Sequence, residues 1–242
     1  MGPSPRAWRY PDRDEMVDQA ADCLLQRLIE FQGSGTTPEL ALSGDPLAQL
    51  VLAAFATRAP ASGIDPARLG LWWTDDAFVP SHGRERHSLK ALSVLGGALQ
   101  LDPARVHPVP AADAYADPEA AAHAYAVELA QVTMDICLLE LGPLGQVAGL
   151  FPGPRGLTGE PVVGITDAPA GQAERVSLGL TTLNAAREIW VLAAGPQVAG
   201  LVAASFAGAP NLPSARLAAR ERTWWFLDEA AAELLPFHAC QL

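Results

Sequence analysis

Gln146 sits at the close of a Gly/Pro turn, Leu141-Gly-Pro-Leu-Gly-Gln146, that follows an apolar run and leads into Val147-Ala-Gly149. A turn of this kind is built to hold one working side chain. A neutral amide can orient a water molecule but cannot take a proton from it at pH 7. Two more chemistry-bearing clusters follow apolar runs. Ser43-Gly44-Asp45-Pro46 comes after Leu40-Ala-Leu42, and Thr74-Asp75-Asp76 comes after Leu69-Gly-Leu-Trp-Trp73. A small-residue loop entering a helix offers backbone N–H groups to an anion, although Asp45 at that helix start would repel one. Asp75 has the chemistry of a general base, with a turn-capping aspartate as the plain alternative.

Arg86 and His87, together with His82 and Arg84, follow Phe78-Val-Pro80. They offer a cation and a titratable base beside the same loops, and a solvated loop is the competing reading. Arg175 is either a ligand contact or the partner of a surface carboxylate. Asp45, Asp75 and Asp76 are acid ligands suited to a hard cation such as Mg²⁺, but three carboxylates from two loops are a weak pattern. The expectation is no metal and no cofactor.

The positioning elements alternate between strands and helices. Asp12 with Glu15 forms a capping-box-like start, followed by Val17, Ala20, Ala21, Leu24 and Leu28 at helical spacing. Apolar strand runs are expected at 40–42, 69–73, 134–141, 161–165, 188–194 and 223–227. Helices are expected at 47–58, 89–99, 117–132, about 196–207 and about 228–235. Continuous apolar strands alternating with amphipathic helices imply an α/β fold: a single domain over 1–242, with a mainly parallel sheet covered on both faces. Trp224 and Trp225 read as core. The Pro/Gly-rich stretch 152–174 reads as a loop carrying one short strand. Ligand crevices in such sheets lie beyond the carboxyl ends of the strands. The loops 43–46, 74–80 and 142–146 should therefore converge there.

The net charge is −11, and Lys90 is the single lysine. That balance argues against nucleic acid and against an anionic membrane as partners, since both require clustered cations. No apolar stretch approaches the ~20 residues of a membrane span. Cys23, Cys137 and Cys240 show no metal-binding spacing and read as reduced thiols, which with the unremarkable N-terminus suggests a cytoplasmic protein. The Ala/Arg/Pro/Gly bias with scarce lysine suggests a bacterial, GC-rich origin.

Five segments in order along the chain carry a family resemblance: "LALSGDP", "WTDDAFVP", "DICLLELGPLGQVAGLFPG", "ERVSLGLTTLNAAREIWVLAAG" and "TWWFLDEAAAELL". Together they resemble the 6-phosphogluconolactonases, which share a Rossmann-like fold with glucosamine-6-phosphate deaminases. The resemblance implies hydrolysis of 6-phospho-D-glucono-1,5-lactone to 6-phosphogluconate in the oxidative pentose phosphate pathway. It also implies a site built from Ser43, Gly44, Asp45, Asp75, Ala77, Gly142, Gly145, Gln146 and Arg175. Several working groups of the family are replaced. The general-base histidine falls on Gln146, and the aspartate two residues before it on Leu144. The phosphate-clamping arginine falls on Ala77, a loop glycine on Asp45, and two lysines on Ala170 and Val198. What the resemblance implies is therefore a weak or inactive lactonase. Two alternatives stand beside it: an active enzyme using Asp75 or His87 as base, and a paralogue that binds a different ligand or a protein partner.

Overall fold

The computed structural model describes residues 5–154, 157, 159–169 and 173–236. Strand β1 (Arg6–Tyr10) precedes helix α1 (Arg13–Gly33), whose N-cap Asp12 accepts a hydrogen bond from the Glu15 N–H. Then come β2 (Glu39–Leu42), α2 (Pro46–Arg58), β3 (Gly70–Trp73), β4 (Asp75–Ala77) and α3 (His87–Leu95). The short β5 (Val106–His107), α4 (Pro118–Leu129), β6 (Ile136–Glu140), β7 (Val162–Ile165) and β8 (Arg175–Leu178) follow. The chain continues through α5 (Leu180–Ala185), β9 (Glu188–Ala193), α6 (Ala199–Phe206) and β10 (Arg222–Asp228).

Seven strands form a parallel sheet in the order β1-β10-β9-β6-β2-β3-β5. The central strands are buried on both faces, which is why they read as unbroken apolar runs. The path of the chain reverses direction between β2 and β6: from β2 it builds outward through β3 and β5, and from β6 through β9 and β10. That reversal is a topological switch point, where a crevice opens beyond the carboxyl ends of the strands. Ser43 donates its backbone N–H to Leu138 O (3.0 Å), and Thr74 donates to Leu42 O (2.9 Å). The ends of β6, β2 and β3 are thereby stitched side by side.

The structure departs from the sequence reading in several places. Strand β1 was not anticipated; it exists because β10, more than two hundred residues away, offers a parallel edge. The strand near 161–165 belongs to a separate antiparallel sheet, β4-β8-β7, rather than to the main one. The expected helix at 228–235 is a series of turns, and the helix expected at 89–99 begins at His87 and ends at Leu95. Trp225 is buried as expected, but Trp224 is only half-buried and packs on Trp8 with ring centroids 5.4 Å apart. Ala170, His238 and Cys240 lie outside the described residues.

Candidate functional site

Gln146 lies on a turn closed by its own backbone. The Gly142 N–H donates to Gln146 O (2.9 Å), the Gly145 N–H donates to Gly142 O (2.9 Å), and Gly145 has φ +80°. The Gln146 side chain folds back over this turn, its Oε1 accepting from the Leu144 N–H at 3.0 Å. A Cβ at Gly142 would lie 1.9 Å from Gln146 Nε2 and would displace the amide from this position. Leu144, on the same turn, is exposed. Ala148 then adopts φ +52°, a left-handed conformation that costs an L residue ~1–2 kcal/mol. Such strain is held in place by its surroundings and is a feature of binding sites.

Arg86 and His87 are not solvated, which corrects the loop reading. They are 3% and 6% exposed and are held by the two aspartates that end the β3 run. Asp76 accepts from the N–H groups of Ala77 (2.8 Å), His87 (2.6 Å) and Ser88 (3.2 Å), and from Ser88 Oγ (2.7 Å). It thereby anchors the start of α3, and Arg86 Nε lies 3.2 Å from it. Arg86 also donates to Val109 O, and its guanidinium is buried in the interior. Asp75 stands between two cations: Arg175 Nε at 3.1 Å and His87 Nδ1 at 3.6 Å. At 3.6 Å the His87 contact is electrostatic rather than a hydrogen bond. Burial pushes the Asp75 carboxyl up, but the His87 and Arg175 charges outweigh it and hold it below the usual range. For His87, burial favours the neutral ring, yet the Asp75 charge prevails and raises its pKa. Arg175 is thus the partner of a buried carboxylate, not a surface one.

Ser43 and Gly44 follow β2 directly beneath this cluster. A Cβ on Gly44 would lie 2.1 Å from the His87 Cβ, so the root of the His87 side chain packs directly on the glycine. Ser43 Oγ donates to Asp45 at 2.8 Å. Burial and the Asp75 charge raise the Asp45 carboxyl above its ordinary value. Ala77 is 2% exposed on β4, opposite Arg175 in register, and presents only a methyl group. The three aspartates therefore have separate employments, and among the described residues no group of three or more His, Cys, Asp or Glu is placed to hold a metal ion.

The residue missed by sequence reasoning is Glu140, the last of β6. Its Oε2 accepts from the N–H groups of Leu47 (2.7 Å) and Ala48 (3.2 Å) at the start of α2. Burial, reinforced by Asp45, pushes its carboxyl up to about 7. The available signal was a lone charge ending an otherwise apolar strand. Beside Glu140 lies a cavity of about 270 Å³ whose walls include Leu47, Leu141, Pro143 and Val198. The loops after β2, β3 and β6 converge as expected. Gly44 touches His87, Glu140 holds α2, and Gly149 donates its N–H to Ser177 Oγ (3.0 Å) on β8 beside Arg175.

Comparison with known proteins agrees with this fold. Residues 11–225 match the family described as glucosamine-6-phosphate isomerases/6-phosphogluconolactonase. A 6-phosphogluconolactonase of Streptomyces coelicolor is 37% identical, covering 98% of this chain and 97% of its own. One from Mycobacterium leprae is 32% identical over 94% and 97%. Among solved structures, a 6-phosphogluconolactonase from Trypanosoma cruzi superposes with a TM-score of 0.83 at 20% identity, covering 97% of this chain and 98% of its own. A monomeric glucosamine-6-phosphate deaminase gives 0.82 at 16% identity over 95% and 99%, so these two likenesses speak for the fold. No helix among the described residues is long and apolar enough to cross a membrane.

Proposed function

Because the chain belongs to the glucosamine-6-phosphate isomerase/6-phosphogluconolactonase family, we propose that it is a lactonase-type hydrolase whose turnover of 6-phospho-D-glucono-1,5-lactone is weak or absent. In that reaction water attacks the lactone carbonyl, the ring C–O bond breaks, and the proton taken from water ends on the released hydroxyl. The observation that carries the reading is the amide of Gln146, tied to the Leu144 N–H on the turn where a base would be needed. Loss of general-base assistance lowers rates by ~10²–10⁴-fold. Asp75 is a poor substitute, because two cations hold its carboxylate and depress its proton affinity. The absence of a cation at Ala77 adds to the loss.

The Asp75–His87 contact supports a second reading, in which neutral His87 serves as the base. Its raised pKa favours the protonated ring, so this activity would grow as pH rises and the proton leaves. The test is steady-state turnover of the phosphorylated lactone above its spontaneous hydrolysis, with wild type and His87→Gln. The proposal expects kcat/KM to lie at least ~10²-fold below that of an ordinary family member in both proteins. A wild type within tenfold of family rates refutes it, and abolition by His87→Gln would then establish the second reading.

A further inference from the structure

The geometry points to Glu140 as the residue that sets the charge of the ligand: its carboxylate fills the anion-binding position at the start of α2, so the crevice rejects phosphorylated ligands and takes uncharged ones. The reasoning begins with the hydrogen bonds of that helix start. An α-helix leaves its first N–H groups without intrahelical partners. In α2 the first residue is Pro46, which has no N–H. Gln49 already donates to Asp45 O at 3.0 Å. That leaves Leu47 and Ala48, and one oxygen of Glu140 accepts from both. No donor of this helix start remains for an incoming anion.

A cap alone does not account for the arrangement. Asp45 occupies the N-cap position, where an aspartate ordinarily satisfies these N–H groups itself. Here its side chain makes no capping bond and is turned to Ser43 Oγ instead. A second carboxylate is brought in from β6 and placed near the first. The cost of this crowding is visible in Glu140, whose proton affinity is raised by burial and by Asp45. Burial and the repulsion of a second carboxylate oppose the charge of Glu140, and perturbed carboxyls of this sort concentrate at working sites.

The location supports the same conclusion. Glu140 ends β6 and Ser43 follows β2, so the pair flank the switch point of the sheet, where ligands enter this class of fold. The neighbouring cavity of about 270 Å³ presents Leu47, Leu141, Pro143 and Val198. Its one guanidinium, Arg13, is exposed and paired with Asp14 at 2.7 Å. Arg175 and His87 do not line this cavity and face Asp75. Above about pH 7, where Glu140 is ionised, a dianion entering here meets its carboxylate and finds the helix donors taken. An uncharged ring, such as an unphosphorylated sugar lactone, meets no such penalty. The word lactone rests on the function proposed above; the rejection of phosphate does not.

The test is calorimetric titration of inorganic phosphate at pH 8 and low salt into wild type, Glu140→Gly and Glu140→Gln. Glycine frees the Leu47 and Ala48 donors, so phosphate should bind at least about tenfold more tightly than to wild type. Glutamine removes the charge but keeps an acceptor oxygen on the donors, and its gain should be smaller than that of glycine. A role confined to capping would lower stability in Glu140→Gly without any gain in phosphate affinity. A folded Glu140→Gly that binds phosphate no better than wild type overturns the inference, as does submillimolar phosphate binding by wild type. Should Glu140→Gly not fold, Glu140→Ala frees the same donors and carries the same expectation. The measurement needs no turnover, so a chain inactive on every lactone but showing the expected phosphate results would overturn the lactonase reading alone.

Discussion

Replacing Asp75 by asparagine keeps the shape of the side chain and removes the charge that holds Arg175 and His87 together. Asp75 is 1% exposed and Arg175 8%, so the pair is shielded from water. Breaking a buried pair by removing one partner costs ~3–5 kcal/mol, because the remaining charge is left uncompensated. Asp45 feels both His87 and Arg175 and offsets part of that loss. The lower end, about 3 kcal/mol, is therefore expected. For a chain of 242 residues, each kcal/mol moves Tm by ~2–4 °C, so the midpoint should fall by ~6–12 °C. Calorimetry with a urea titration at pH 7 measures it. Asp75→Asn with Arg175→Met should recover at least half of the loss, since exchanging a whole buried pair for apolar groups is often neutral. The His87 pKa, followed by NMR, should fall in Asp75→Asn, because burial then acts without its main opponent. A Tm change under about 2 °C, or a double variant no more stable than the single, would refute the reasoning.

Glu140 makes stability depend on pH in a defined direction. Its folded value of about 7 lies above the ordinary 4.5, so the folded state holds the proton more tightly than the unfolded chain does. The stability this contributes is fully present below about 4.5 and is lost as pH rises through about 7. The separation of the two values corresponds to ~3 kcal/mol. Raised pKa values at Asp45 and His87 act in the same sense, so the Glu140 share is the difference between wild type and Glu140→Gln from pH 5 to pH 8. A difference constant across that range would contradict the assignment. Gln146→His alone should leave kcat/KM for the phosphorylated lactone within about threefold of wild type, because a base gains nothing on a substrate that is not held. Adding Asp45→Gly and Glu140→Gly should raise it by more than the product of the separate effects, as groups acting as a unit do. Kinetics on the single, double and triple variants decide this, and strict additivity would count against it.

The apolar runs that became β2, β3, β6 and β9 were legible in the sequence because burial on both faces leaves no room for polar residues. The Asp12 cap and the convergence of the loops beyond the strands were legible for the same kind of local reason: capping chemistry and strand polarity are properties of short segments. That Gln146 cannot itself act as a base was equally plain, since an amide has no accessible proton affinity whatever surrounds it. The pairings were decided only by the tertiary structure. Arg86 and His87 looked like loop residues until Asp76 and Asp75, on another segment, drew them inside. Strand β1 needed the edge of β10, and the antiparallel sheet needed β8 to fold back on β4. Glu140 was one charge at the end of an apolar strand, and only the approach of α2 turned it into the acceptor for Leu47 and Ala48. Local patterns report what a segment must bury or cap. Which charge meets which depends on separations along the chain that no local pattern encodes, and the energy of a buried charge is set almost entirely by that meeting.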